Sequence, residues 1–520
     1  MTTRAWSPQQ DAIFSWFAAG DGNLVVRARA GTGKTTTVIE GISRAPEASI
    51  LLAAFNKRIA EELGSRLSTP RAEARTLHAL GYGIIRRYWE TVRFDDTRDR
   101  DLARKVCGDG TPDAILTLVS KVAVRAKETV PNADSASTER FEALVEICDA
   151  VPDREWEDEG YDARWVARMA LAQVRASLKK DGRCSFADML FLPVAHGWVR
   201  PRYDLVVIDE AQDMSATQLA LAQRLSRGRV CVVGDDRQGI YGFRGADSGS
   251  IDRMRRDLGA VELGLTTTYR CPMTVVALAQ RLVPDFTAAP EAPEGLVSVM
   301  AEAGLPAQAE PGSFVLSRKN APLVSAALSL LRAGKRTRIE GRDIGKGILA
   351  IVRKISGKGR ISMVSFLERL ESWLSRERVR AEALRNPEAR IQLVTDQTET
   401  LFALAEGLSG VAELEARIEA LFADGGGPDQ IVCSTVHKAK GLEADTVYVL
   451  MDTFYPRGNR SDREEQNLEY VAITRAKRHL VLVTCAVKKR ESRAVDSAPA
   501  TPAAPAEEGT SDADARVIAS

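Results

Sequence analysis

Leu24-Val25-Val26-Arg27-Ala28-Arg29-Ala30-Gly31-Thr32-Gly33-Lys34-Thr35-Thr36 changes character twice within thirteen residues. It starts as a short apolar run, turns through glycines, and enters a helix-forming stretch, Thr35–Ser43. From Ala28 the spacing is GxxxxGK[ST], with Ala at the first glycine. Such a loop between strand and helix wraps backbone N–H groups around phosphates, and the helix N-terminus adds its dipole. Ala28, Arg29, Ala30, Gly31, Thr32, Gly33, Lys34, Thr35 and Thr36 are therefore expected to hold ATP. Lys34 would bring a point charge to the γ-phosphate, and Thr35 a hydroxyl to Mg²⁺. A chance glycine-rich turn would not need an intact GKT, a strand before it and a helix after it.

Other apolar runs resemble the first: Ile50–Phe55, Leu205–Ile208, Val230–Val233, Thr446–Leu450 and Leu480–Val483. They are too short for amphipathic helices and lack the alternation of half-buried strands. They suit parallel strands covered on both faces. Helical stretches such as Lys57–Leu67 and Ala216–Leu225 lie between them. The alternation predicts an α/β fold with doubly wound parallel sheets. The runs fall into two clusters, so two such domains are expected, each with a mainly helical insert. The expected division is 1–84 with 186–275 for the first domain and 85–185 for its insert. The second is 276–334 with 426–487, its insert 335–425, followed by a disordered tail, 488–520. Within the second insert only Arg390–Val394 resembles a strand.

The run Leu205–Ile208 ends in Asp209-Glu210-Ala211-Gln212-Asp213. Two adjacent acids are common on solvated loops. At the C-terminal end of a parallel strand, together with a phosphate loop, they point to NTP hydrolysis. Asp209 would hold Mg²⁺ through water, and Glu210 would orient or deprotonate the attacking water.

Composition narrows the alternatives. The chain has 520 residues and a formal net charge of +1, from 72 Lys+Arg and 71 Asp+Glu. No apolar run approaches the roughly 18 residues of a membrane span, and MTTRAWSPQQ lacks the apolar core of a secretory signal. Seven scattered Cys, no CxxC and four His argue against a zinc or iron–sulfur module and for reduced cytoplasmic thiols. The neutrality is a cancellation. Residues 131–162 carry eleven acids against two bases, and residues 332–360 ten bases against two acids. A polyanionic partner for one face is therefore not excluded.

Several further segments, in order, resemble the motifs of superfamily 1 helicases of the UvrD/Rep branch. Gln10 in Trp6-Ser7-Pro8-Gln9-Gln10 resembles the adenine-reading Q motif, ahead of Gln9. Leu51–Leu63 and Thr76-Leu77-His78 resemble single-strand-contacting motifs, and Ser185–Leu190 the xFxDLL segment. Val233–Ala246 is similar to the third motif, Thr268-Tyr269-Arg270 to the fourth, Ser434–Val449 to the fifth and Glu464–Lys477 to the sixth. The resemblance implies two RecA-like P-loop NTPase domains and a DNA-dependent ATPase with ATP and Mg²⁺ as cofactors. It implies that Gln238 senses the γ-phosphate, Tyr269 stacks on adenine, and Arg270 and Arg475 bring guanidinium charge to the leaving phosphate. Glu443 would accept from the ribose or join that network. ATP would lie in the cleft between the halves, with Lys34 and Asp209 on one side and Arg475 on the other.

On the nucleic-acid side, the resemblance points to Phe55, Asn56, Thr76, His78, Tyr82, Phe243, Arg244, Thr435 and His437. Aromatic residues would carry bases, and hydroxyl or cationic groups phosphates. The basic stretch Arg332–Arg360, free of aromatic residues, reads as a phosphate-tracking surface or as a merely soluble face. Phe55-Asn56-Lys57 and Leu77–Gly83 resemble the F-box helicase relatives more than UvrD, although no F-box precedes them. The spacing from Arg270 to Cys433 implies a reduced second insert. The expected activity is a 3′ to 5′ DNA helicase acting on single strands and their junctions with duplex, in repair or recombination alongside proteins of those pathways. The alternative is a translocase that strips bound proteins or drives a repair or defence complex, with little unwinding alone. A regulator with an inactive ATP site is disfavoured by the intact Lys34, Asp209, Glu210, Arg270 and Arg475. RNA stays open as a substrate.

Overall fold

Apolar runs of four to six residues cannot hide both sides by themselves, so they pair and let helices cover both faces. The computed structural model describes residues 5–484 apart from 55, 133–136, 153, 241–249, 358–360, 383–386, 424–428 and 456–461. Two six-stranded sheets result. The first holds β1 (Leu24–Ala28), β2 (Ile50–Ala54), β3 (Ala72–Thr76), β4 (Tyr203–Ile208), β5 (Ser226–Gly234) and β6 (Val261–Leu265). Its order is β3-β2-β4-β5-β1-β6, with every pairing parallel. The second holds β7 (Leu296–Ala301), β8 (Phe314–Ser317), β9 (Thr337–Glu340), β10 (Ile431–Thr435), β11 (Ala444–Leu450) and β12 (Ala476–Thr484). Its order is β7-β12-β11-β8-β10-β9, again parallel throughout.

Alternate residues of each strand enter opposite cores. Val25, Leu51, Val206 and Val232 meet Leu77, Leu80 and Leu221 on one face of the first sheet. Leu24, Ile50, Leu205 and Cys231 meet Ile13, Phe17, Val38 and Ile42 on the other. Each fully buried Val, Leu or Ile contributes roughly 1.5–3 kcal/mol. Two-sided burial explains why the sequence shows runs rather than alternation.

Residues 98–177 form a helical layer with its own core around Ile115, Val119, Phe141, Val166 and Ala170. A buried ionic knot ties it to the first sheet's helices. Arg98 pairs with Asp188, and Lys127 reaches Asp188 at 2.7 Å and Asp99 at 2.5 Å. Within 335–425 the helices are Arg342–Ser356, Met363–Glu382, Pro387–Ala405 and Val411–Leu421.

Two expectations are corrected. Arg390–Val394 lies inside the Pro387–Ala405 helix. Its apolar residues continue at helical spacing through Leu401 and Leu404, all facing one core with Val394. Thr337–Glu340, read as part of a helical insert, is the edge strand β9. Among the described residues no helix is long and apolar enough to cross a membrane.

Candidate active site

The C-terminal ends of β1, β4 and β5 are neighbours, so the loops that follow them share one rim. After Ala28, the loop turns at Gly31 (φ 69°) and Gly33 (φ 78°) into the Lys34–Arg44 helix. A Cβ on Gly31 would come within 2.6 Å of both Arg270 Cβ and Thr268 Oγ1, so glycine is needed for close approach as well as for φ. No side chain caps the helix start, leaving its first amides free for an anion.

Lys34 Nζ lies 3.3 Å from the Glu210 carboxylate. Burial alone would lower the Lys34 pKa, but Glu210, Asp235 and Asp209 outweigh it and raise it. Asp209 goes up to about 7, because burial and the Glu210 charge disfavour its ionised form. Burial pushes Glu210 up as well, yet Lys34 and Lys440 overcome this and hold it low. Glu210 sits at φ 50°, ψ 42°, a left-handed conformation that costs a non-glycine residue about 1–3 kcal/mol. Gln212 donates to its carboxylate at 2.6 Å and accepts from the Asp235 amide at 3.1 Å. Gln238 is buried and donates to Asp235 at 2.7 Å.

The later part of the chain completes the rim. The Tyr269 amide donates to the Gly31 carbonyl at 2.9 Å, so the fourth motif lies directly on the phosphate loop. Arg270 pairs with Glu443 at 2.5 Å. Arg475 is buried, and its guanidinium donates to the carbonyls of Val471 and Leu442 and to the Thr474 hydroxyl. It has no carboxylate partner among the described residues. Burial and the adjacent Arg270 pull its pKa down to about 10. Arg475 is thus a desolvated cation held by neutral acceptors.

Three contacts that sequence reasoning missed join the halves. The Ala30 amide donates to the Tyr470 hydroxyl at 3.0 Å. Lys440 Nζ reaches Asp213 and the Gln238 carbonyl, each at 2.6 Å. The Asn467 amide donates to the Asp236 and Gly239 carbonyls, each at 3.1 Å, while Arg463 pairs with Asp236 at 3.0 Å. Asn467 thus serves this interface. No local pattern marks these pairs, which are 202 to 440 residues apart in sequence for the side-chain contacts of Lys440, Arg463 and Tyr470.

Residues 6–259 match the UvrD/REP helicase N-terminal domain, and residues 390–487 the UvrD-like helicase C-terminal domain. The chain belongs to the UvrD/Rep helicase family. It is 25% identical to F-box DNA helicase protein 1 of Schizosaccharomyces pombe, over 88% of its own length and 55% of that protein's. It is 27% identical to ATP-dependent DNA helicase UvrD2 of Mycobacterium tuberculosis, over 91% and 77% of the two chains. DNA helicase IV of Escherichia coli is 26% identical over 53% and 47%. The chain thus spans about half the length of the F-box relative. The two parallel sheets are those of two RecA-like domains.

Not every expected nucleotide contact in this UvrD/Rep helicase is free for that use. The Arg29 side chain is buried among Asp235 (3.0 Å), Asp236 (2.8 Å) and Asp285 (2.8 Å), so it braces the loop from behind. The Thr32 hydroxyl bonds to the Arg29 carbonyl at 2.9 Å, and Thr36 accepts from Arg66 at 3.2 Å. Gln10 lies beside the loop. Its amide donates to Thr37 at 2.9 Å and its carbonyl accepts from the Ser7 amide. Gln9 instead brackets Thr266 through two bonds. The Tyr269 ring is half exposed.

The nucleic-acid candidates divide in the same way. His78 stacks on Phe186 at 3.9 Å, and the Phe186 ring is 59% exposed. Thr76 and Asn56 cap helices through Ala79 N and Ile59 N. Tyr82 donates to the Val92 carbonyl and packs against the core of the helical insert, away from a base-stacking role. Thr435 is buried at the end of β10, and His437 follows it half-buried. Phe55, Phe243 and Arg244 lie outside the described residues. In the basic stretch, Arg332 pairs with Glu406, Arg336 with Asp429, Arg338 with Glu340 and Arg353 with Glu415. Four of its ten cations are thus paired within the protein, three of them on exposed side chains.

The donors suit Mg²⁺, which takes one or two carboxylates together with phosphate oxygens. Asp209 is a buried carboxylate at the end of β4 with Lys34 and Glu210 as its charged neighbours, and Thr35 lies in the first turn of the helix that follows the phosphate loop.

Proposed function

We propose that this chain is an ATP-driven motor that moves 3′ to 5′ on single-stranded DNA and opens duplex at junctions. The observation that carries the reading is Arg475, buried beside Arg270 with no carboxylate partner among the described residues, just after the helix whose Tyr470 joins the phosphate loop. A desolvated guanidinium is costly unless an anion completes it. The γ-phosphate of ATP on Lys34 is that anion.

Lys34 exchanges Glu210 for phosphate, and the freed Glu210 takes the proton of the attacking water. Asp209 and Thr35 hold Mg²⁺, which when bound neutralises phosphate charge. Gln238, anchored on Asp235, reads the γ-phosphate, while Tyr269 covers the adenine with Gln10 beside the loop. Arg270 and Arg475 gather charge as it develops. Loss of phosphate removes the group that satisfies Arg475, and the halves separate. His78 and Phe186 offer the exposed stacking surface for a base.

Lys34→Ala tests this. DNA-stimulated hydrolysis should fall to background while circular dichroism and thermal midpoint stay as in the parent. Undiminished hydrolysis would sink the assignment. A second reading, a translocase that strips proteins or drives a repair or defence complex, is supported by the internally paired basic stretch. A monomer that clears bound protein from a single strand yet fails on 3′-tailed duplex would favour it.

A further inference from the structure

A phosphate loop takes its nucleotide with backbone amides, so the side chain at its second position is free for another task. At that position stands Arg29. Its amide donates to the Leu265 carbonyl at 2.8 Å, and its carbonyl accepts from the Thr32 hydroxyl at 2.9 Å. With the backbone held on both sides, the buried guanidinium divides between two groups of partners. Nη1 donates to Asp235 at 3.0 Å and to Asp236 at 2.8 Å. Nε and Nη2 form a fork on Asp285, at 3.1 and 2.8 Å. The planar guanidinium serves both groups at once, which a lysine ammonium could not.

The two groups lie on different sides of the joint between the halves. Asp235 and Asp236 follow β5 of the first sheet. Leu282, Val283 and Phe286, which flank Asp285, pack in one core with Val436, Leu468 and Tyr470 of the second half. Phe286 meets the Tyr470 ring edge-on at 5.5 Å, and the Tyr470 hydroxyl accepts from the Ala30 amide. Two consecutive loop residues are therefore gripped from the second half, Ala30 by its amide and Arg29 by its side chain.

On the first side the two acids are not equivalent. Asp236 is shared with Arg27 and Arg463, each at 3.0 Å. Asp235 has Arg29 as its one ion-pair partner among the described residues. One Asp235 oxygen accepts from Arg29, and the other accepts from the Gln238 amide at 2.7 Å. A carboxylate is planar and rigid, so the guanidinium on one oxygen sets the direction in which Gln238 hangs from the other.

We propose that Arg29 is a positioning residue: it receives docking of the second half at Asp285 and passes it through Asp235 to Gln238, aiming that amide at the γ-phosphate. The inference rests on the ATP-motor reading, in which Gln238 reads the γ-phosphate. Asp285 is half exposed, so the link can be cut there while Asp235 and Asp236 keep their guanidinium.

The test is Asp285→Ala, alone and combined with Gln238→Leu. An ion pair of this exposure supports an effect of about three- to fivefold. With saturating single-stranded DNA, kcat should fall by that factor while KM for ATP stays within about twofold. Fluorescence titrations should show the preference for a non-hydrolysable ATP analogue over ADP falling equally. Asp285→Glu, which keeps the carboxylate, should recover most of both. In the Gln238→Leu background, Asp285→Ala should cost less than about 1.5-fold, because the link has lost its far end. The full loss in that background would overturn the proposal, since Asp285 would then act elsewhere. Parental kcat and parental nucleotide preference in Asp285→Ala would overturn it too. So would a lowered thermal midpoint without either change, which would make the pair a matter of stability alone. If the parent shows no DNA-stimulated hydrolysis, the motor reading fails while the nucleotide titrations still decide the link.

Discussion

Replacing Tyr470 with Phe removes one oxygen from a fully buried ring and keeps its edge-on packing against Phe286, 5.5 Å between centroids. What is lost is the acceptor of the Ala30 amide at 3.0 Å. Both residues are buried, so water cannot take the place of the hydroxyl. An orphaned buried N–H costs about 1–3 kcal/mol. Ala30 belongs to the phosphate loop and Tyr470 to the helix that precedes Arg475. The cost therefore falls on the docked arrangement of the two halves and not on either core. A shift of about 1–3 kcal/mol changes the docked population by roughly five- to 150-fold. Steady-state hydrolysis with saturating single-stranded DNA should show a kcat/KM for ATP lowered within that range, while the thermal midpoint of each half moves little. A Phe variant within twofold of the parent in kcat/KM would refute the argument, because the hydrogen bond would then play no part in closure. A large fall in thermal midpoint with parental kcat/KM would refute it equally, by placing the cost in the fold.

Other perturbations separate bracing from chemistry. Arg29→Met leaves the buried Asp235 without its guanidinium, and should cost about 3–5 kcal/mol, read as a lowered urea midpoint; stability within about 1 kcal/mol of the parent would contradict the bracing role. Gly81→Ala puts a Cβ 1.8 Å from the Met189 carbonyl, so the Leu77–Tyr88 helix must shift away from the segment carrying Phe186. Single-strand affinity should fall while DNA-independent hydrolysis persists, and intact affinity would show that the stack tolerates the shift. Burial pulls the His78 imidazole down to about 4. A folded-state pKa below the unfolded value means that the unfolded chain takes up a proton first, so stability should drop as pH falls from about 6.5 towards 4. His78→Asn should flatten that part of the pH–stability curve, and an equally steep curve would place the titration elsewhere.

Six of the eight interior strands, β1, β2, β4, β5, β11 and β12, were legible because burial on both faces leaves uninterrupted apolar runs; β8 and β10, equally interior, were not among the runs. The edge strands were not. Ala72–Thr76 (AEART) and Thr337–Glu340 (TRIE) each border only one neighbour, which admits Arg and Glu and erases the run. The phosphate loop and the Asp209-Glu210 pair were legible because their geometry is local to a strand end. The bracing by the Arg29 side chain was not legible for the opposite reason. Its place in the loop is local, but its partners Asp235, Asp236 and Asp285 are more than 200 residues away and turn the side chain from nucleotide to scaffold. Tyr82 followed the same course, because a core built from residues 85–192 claimed its ring.

The pairing of charge around the cleft has a consequence for how binding energy is used. Lys34 is already answered by Glu210, Lys440 by Asp213 and Arg270 by Glu443. A triphosphate that takes over Lys34 and Arg270 exchanges one ionic partner for another, and such an exchange gains little net free energy. Among these described cations Arg475 has no carboxylate partner, so on the proposed reading a phosphate there would displace only neutral acceptors. That contact exists only when the second half is docked, since Arg475 follows the helix of Tyr470. The ligand therefore binds the closed arrangement more tightly than the open one, which is the condition for it to shift the equilibrium between them. The same exchange releases Glu210, held in a strained left-handed turn, at the moment the γ-phosphate is in place. On the proposed motor reading, closure and activation of the base would be one event, which loss of the phosphate would undo.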